Sequence, residues 1–377
     1  MKIRKTALFA ILTVAILLMI STCVMVVPPA SAQSTVYYKT ATPQDQEPMM
    51  NSNNIQGGIS YEPYVSEMVN HGWGKVLLTS AQEWPGHPSY VMLLDKSWAQ
   101  RNPDLAARVV RAHMDAELWI QKALANPDGK DYASLIAMGQ QIMKHRNDSD
   151  AVIASALKDI EFSSNLTATT QSYVAKYTEG WIQDGVITNQ SMQNLSYENS
   201  SQFASSYIDT SYLHNASSVA PSDTVLGRVF IGYVSGNLFM LPTVVALNTS
   251  LWGGETAFEK YGVSPVSLAP KGYNTSALVT QALMVGDIQV GFTAICPAIQ
   301  MRINDKMNAV MAAQMTANGT ALVVKNNINS IDDLGGNVIA SVGQQTIQDL
   351  FMKDMAKKYG LSLVPLNAAD QNKTTQT

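Results

Sequence analysis

From Arg228 onward, short apolar or β-branched runs alternate with helical stretches, and this alternation limits the fold more than any other feature. The strand-like runs are "RVFIGYV", "VSPVSLAP", "IQVGFTA", "NAVMAAQM", "TALVVK", "NVIASV" and "LSLVPL". Between them come a helix from about Leu241 and the stretches "NTSALVTQALMVG", "PAIQMRIND" and "QTIQDLFMKDMAKKYG". Parallel strands cannot be joined by tight hairpins and need a crossover, usually a helix. The rhythm therefore predicts an α/β fold, with parallel sheets covered by helices on both faces.

The first half reads differently. "TVYYKT", "IQGGISY", "KVLLT" and "YVMLLD" are strand-like, and "SAQEWPGHPS" between the last two reads as a turn. "EPYVSEMVNHGWG" reads as a short helix closed by Gly72. A long helix is expected in "NPDLAARVVRAHMDAELWIQKALANP", with Asn102 as N-cap and Pro103 at the first position. Its Leu105, Val109, Ala112, Ala116, Trp119 and Ala123 recur at helical spacing. Residues 101–212 are mainly helical, and the Ser- and Pro-bearing stretch 213–225 reads as a linker.

Composition enters as a set of exclusions. The net charge of −4, with no basic run, argues against nucleic acid as a partner. Residues 1–32 read as a signal peptide or N-terminal membrane anchor: Lys2, Arg4 and Lys5 precede an apolar run, and small residues follow at Ala30–Ala32. An exported chain, periplasmic or at the cell surface, is expected, touching the membrane through this segment if it is uncleaved. Beyond the leader Cys296 is the one thiol, expected as a small buried hydrophobe. The five histidines lack metal spacing, and neither a P-loop nor a nucleophile elbow is present. No cofactor, metal or catalytic residue is expected, and the chain is read as a non-enzyme.

Residues 226–377, through "IGYVSGNLFMLPTVVALN", "ALMVGDIQVGFTA" and "TALVVKNNINSIDDLGGNVIASVGQQTIQDLF", resemble the first half of an ABC-transporter solute-binding protein of the nitrate/sulfonate/taurine family. Residues 35–215, through "IQGGISYEPYVS", "GKVLLTSAQEWPGHPSYVMLL" and "NPDLAARVVRAHMDAELWI", resemble the second half. The halves stand in reversed order, so the chain reads as a circular permutant whose usual ends are joined at 213–225. "LVPLNAADQ" (363–371) and "VYYKTATPQDQ" (36–46) resemble the same family segment, as a trimmed tandem duplication would leave. A piece of a longer tandem protein, or pairing of the copied strand with another molecule, are the rival readings.

The resemblance implies a type II periplasmic-binding-protein fold: two Rossmann-like lobes with a hinge, closing on a small anionic or zwitterionic solute. Lobe two is assigned to 35–87 and 326–377, and lobe one to 88–212 and 226–325. It implies an ABC permease and its ATPase as partners. The alternatives are a membrane-tethered ligand sensor and, on the same fold, a thiamine-pyrimidine-precursor enzyme.

Ligand contacts are expected at the carboxyl ends of strands. Ser235, Gly236 and Asn237 offer a hydroxyl, an open backbone and an amide. Gly343, Gln344, Gln345 and Thr346 lead into a helix N-terminus, which favours anions. Thr293 and Ala294 end another strand. Glu62 and Pro63 resemble the family's Glu-Pro signature, as ligand acceptor or hinge tie. Trp84 is expected as a wall against the ligand or as core. An arginine clamp for an oxyanion is not evident: Arg228 starts a strand at the wrong end, and Arg302 is only in the general area.

Overall fold

The computed structural model describes residues 34–144, 146, 148–267 and 272–366. The leader and the chain from residue 367 lie outside the described residues. The twelve strands found there are β1 Ser34–Thr40, β2 Gly57–Tyr61, β3 Lys75–Thr79, β4 Pro88–Asp95, β5 Ile160–Phe162, β6 Gly227–Tyr233, β7 Val263–Val266, β8 Val290–Ala294, β9 Ala309–Asn318, β10 Thr320–Val324, β11 Val338–Ser341 and β12 Leu361–Pro365.

They form two six-stranded sheets. The first has the order β12-β1-β11-β2-β10-β3, and the second β5-β9-β4-β8-β6-β7. In the first, β12, β1, β11 and β2 run parallel and β10 runs against both neighbours. In the second, β7, β6 and β8 run parallel, and β4 opposes β8 and β9. Each lobe is thus a mainly parallel sheet interrupted by one antiparallel strand that enters from the other lobe, with the short edge strand β5 also antiparallel to β9 in the second. This is the two-lobe periplasmic-binding-protein architecture. The central strands β4 and β9 are apolar almost without alternation because helices cover both faces.

The chain passes between the sheets twice, from β3 to β4 and from β9 to β10. Both crossings are tied together. The Ser80 hydroxyl lies 2.8 Å from His87 Nε2 and accepts from Thr320 N at 3.2 Å. Gly86 N donates to Asn318 Oδ1, and Asn318 N to the His87 carbonyl. The turn from β9 to β10 needs Gly319: its φ is +78°, and a Cβ would lie 2.8 Å from the Phe239 ring.

Four expectations change. β10, assigned by sequence to lobe one, lies in the first sheet, because Gly319 turns the chain five residues or so earlier than expected. Leu213–Ser217 of the expected linker belong to a helix, Ser211–Ser217, whose Tyr212 and Ala216 are buried. The turn-rich "SAQE" is a helix, Ser80–Glu83, closed by a reciprocal Thr79–Gln82 capping box. Asn102 does not cap helix Pro103–Leu124, since a preceding helix, Lys96–Arg101, occupies its side chain: Nδ2 donates to the Trp98 carbonyl. The expected apolar stripe does face the core, with Val109, Ala112, Ala116 and Ala123 buried.

Candidate functional site

Strand ends from both lobes turn toward the shared boundary. After β6, Ser235 N and Oγ both bond the Tyr273 carbonyl, and Gly236 takes φ +63°. Asn237 caps the next turn through Oδ1 and donates Nδ2 to the Tyr90 hydroxyl at 2.7 Å. Tyr90 stacks on Phe239 at 5.1 Å, and Phe239 meets Tyr61 of the other lobe at 6.3 Å. Tyr61 packs edge-on against Tyr64 at 5.4 Å. Aromatic rings therefore run from lobe to lobe beside the Asn237 amide.

After β11, Gly343 has φ +119° and Gln345 φ +72°. Thr346 caps helix Ile347–Lys358 by accepting from Asp349 N, and donates to the Gly343 carbonyl at 2.6 Å. The Gln345 carbonyl accepts from Gln300 Nε2 of lobe one at 3.0 Å, while the Gln344 side chain is exposed. Cys296 opens helix Ile295–Asn304 opposite this turn; burial pushes its thiol up to about 12, although the Ile347 N–H bonds it. At neutral pH it is an uncharged thiol.

The other expected residues lie elsewhere or are occupied. Thr293 is buried and donates to the Ser276 carbonyl, and Ala294 N donates to Ser276 Oγ. Glu62 is buried: its carboxylate accepts from Ser66 N at 3.1 Å and hydrogen bonds with Asp159 of lobe one. Burial pushes it up to about 8. Only about 10 Å³ is open beside it, too little for a solute. Glu62 is thus engaged by Ser66 and Asp159 in a nearly closed space, with Pro63 at the N-cap of the next helix.

Trp84 is buried, donates Nε1 to Asp354 at 2.7 Å and packs edge-on against Phe351. It borders a cavity of about 250 Å³ between helices Ala168–Gln183 and Ile347–Lys358. That cavity follows the sides of two helices and not the strand ends, where α/β folds of this kind take ligands.

Sequence reasoning missed the cation nearest the ring cluster. Arg146, in lobe one, sits 4.2 Å over the Tyr64 ring and pairs with Glu47 and Glu67 of lobe two. Its side chain is 11% exposed. Burial first, then the hydrogen bond with Glu67, raise Glu47 to about 8. The surrounding "KHRNDSD" reads as a polar surface loop, and neither glutamate is near it in sequence. Arg302 instead donates to the Tyr197 hydroxyl within lobe one.

Residues 31–137 match a known family model. The match is to the NMT1-like family. Two curated relatives are also similar to this chain, each a nitrate/nitrite binding protein NrtA. The one from Nostoc sp. is 26% identical over 88 residues, which cover 23% of this chain and 20% of that protein. The one from Synechocystis sp. is 34% identical over 62 residues, covering 16% of this chain and 14% of the relative. The chain thus spans a fifth or less of the length of these relatives. With the two-lobe architecture, these matches bear out the resemblance to solute-binding proteins of the nitrate/sulfonate/taurine type.

Proposed function

We propose that the protein captures a small solute between its lobes and performs no chemistry on it. The observation that carries this is the shape of the connection. Two hydrogen-bonded crossings hold two sheets whose strand ends touch through the Gln300–Gln345 hydrogen bond and the Tyr61–Phe239 contact, with Asn237 and Thr346 on the adjoining turns. Such a joint permits closure around a ligand. A nitrate-, sulfonate- or taurine-like solute is favoured by the helix N-terminus after Thr346, which attracts a monoanion without a net charge of its own, and by the printed names of the two relatives. Asn237 and the Gly343–Thr346 turn are the contacts of choice, with Ser235 and Gly236 shaping the opposite wall.

Export and delivery to an ABC permease with its ATPase complete the reading.

The test is a thermal-shift series on a chain starting at Ser34, with nitrate, nitrite, bicarbonate, taurine and alkanesulfonates. A ligand at a hundredfold excess over Kd adds about 2.7 kcal/mol and raises Tm. A flat response across the series overturns the proposal.

A further inference from the structure

β12 follows β11 through a single helix, Ile347–Lys358. In the simplest crossover of this kind the second strand lies beside the first. Here β1 lies between them, with Tyr37 opposite Val338 and Thr40 opposite Ser341 on one side, and Ser34–Tyr38 opposite Leu361–Pro365 on the other. The intervening strand is the one that β12 resembles, through its apolar spacing and the Asp-Gln that follows each. Aligning Asp45-Gln46 with Asp370-Gln371 sets Val36 against Leu361, Tyr38 against Leu363 and Ala41 against Leu366.

The structure treats these matched residues alike. Val36 and Leu361 belong to the main core, and Tyr38 and Leu363 pack onto it. Ala41 belongs to the smaller core on the other face of the sheet, and Leu366 packs onto that same core. The hydrogen-bonding edges agree as well. Tyr37 N and Ala41 N donate to the Asn337 and Ser341 carbonyls, whereas Leu366 N, the counterpart of Ala41 N, donates to the Tyr38 carbonyl. The edge of β12 that now serves β1 is therefore the edge that would serve β11, with no strand reversal. Thr40 lies between these donors, so its N–H faces away from β11. Its counterpart Pro365, which has no N–H, would put that lack on the open side, where proline is tolerated.

We infer that β12 is a standby strand: the place beside β11 accepts either β1 or β12. In the second arrangement β12 moves one strand spacing sideways and two residues along. The last turn of its helix and Gly360, at φ +66°, supply the slack. The exchange reaches the lobe contact. β1 runs through Ala41 and Thr42 directly into helix Pro43–Asn51, which carries Glu47, a partner of Arg146. Gln46 of that helix holds the present arrangement by donating to the Ala41 and Ile59 carbonyls. When β1 leaves, Glu47 leaves Arg146 and one tie between the lobes is lost.

Two measurements on the full chain test this. In hydrogen exchange followed by mass spectrometry, peptides covering 34–42 should exchange at least about tenfold faster than those covering 337–342, because β11 stays paired in both arrangements and opening free energies differ locally. Equal rates overturn the inference. In Val338→Cys/Ser362→Cys, the two positions stand two strand spacings apart across β1 and two residues out of line, about 12 Å, beyond disulfide reach. Exchange sets them opposite each other. A disulfide should form on oxidation, and adding Gln46→Ala should speed it about tenfold by loosening β1. A chain with all three substitutions that is folded by circular dichroism and forms no disulfide between these positions overturns the inference. If Gln46→Ala does not fold, the exchange measurement decides alone.

Discussion

On one flank of the lobe contact a single arginine faces two glutamates in a nearly dry pocket; on the other, lysines and aspartates meet at the surface. Arg146 is 11% exposed and Glu47 9%. On the second flank Lys176 pairs with Asp354 at 2.8 Å and Lys353 with Asp184 at 2.7 Å, with side chains 21–42% exposed. Both flanks join lobe one to lobe two by opposite charges, yet the physics separates them. A buried charge that loses its partner keeps its desolvation cost, whereas an exposed charge recovers water. The second flank gains its tightness from helix packing. A Cβ at Gly180 would lie 2.7 Å from Leu350 Cδ2, so the two helices approach over a missing side chain.

The largest effect expected is at Arg146. Arg146→Ala leaves Glu47 and Glu67 facing each other without a cation, and should cost about 3–5 kcal/mol in urea unfolding. A loss under about 1 kcal/mol, the value typical of exposed pairs, would erase the contrast between the flanks.

The next expectation concerns pH. Glu47, raised to about 8 by burial, takes up a proton more readily folded than unfolded. Its contribution is whole below its ordinary value near 4.5 and is lost as pH rises through about 8. Glu62 at about 8 and Glu117 at about 7, both raised by burial, act with the same sign. His87 acts oppositely: burial lowers it to about 3, so stability falls as pH drops below 6.5. Between pH 4.5 and 6.5 the three carboxyls outweigh the one histidine, so unfolding midpoints should be highest near pH 4.5 and decline as pH rises to about 8. Glu47→Gln should flatten part of the alkaline decline and leave the acid side unchanged. An unaltered alkaline slope would show that this carboxyl does not titrate there.

At Gly180, a valine must push aside the flexible end of Leu350, and about 1–3 kcal/mol is expected. The smallest effect belongs to Lys176→Ala, whose pair with Asp354 is about 40% exposed on both sides, at most about 1 kcal/mol, and it should shrink further in high salt. If Lys176→Ala costs more than Gly180→Val, charge and not packing holds the second flank.

The sequence carried the repeating architecture well, because strand and helix periods are local. The parallel strands β6, β7, β8 and β11 were evident from their own residues. So was the apolar face of helix Pro103–Leu124. Features set by distant partners were not. Arg146 meets Glu47 and Glu67 only after the lobes come together, and nothing in "KHRNDSD" marks it as buried. Glu62 reads equally well as acceptor or tie, and its engagement by Ser66 and Asp159 in a nearly closed space shows only in the fold. Asn102 looks like a cap by type, but the helix before it claims its amide. The order β12-β1-β11 was also hidden: two segments of like pattern are visible in the sequence, whereas which of them takes the inner position is not.

The knot at Ser80 has a mechanical consequence. Because one hydroxyl binds both His87 and the Thr320 amide, the two strands that link the jaws cannot swivel separately. They form a single axle, and the jaws keep one principal rotation. A wedge driven into either side must therefore be felt at the other, so the arginine and lysine clasps open as a pair.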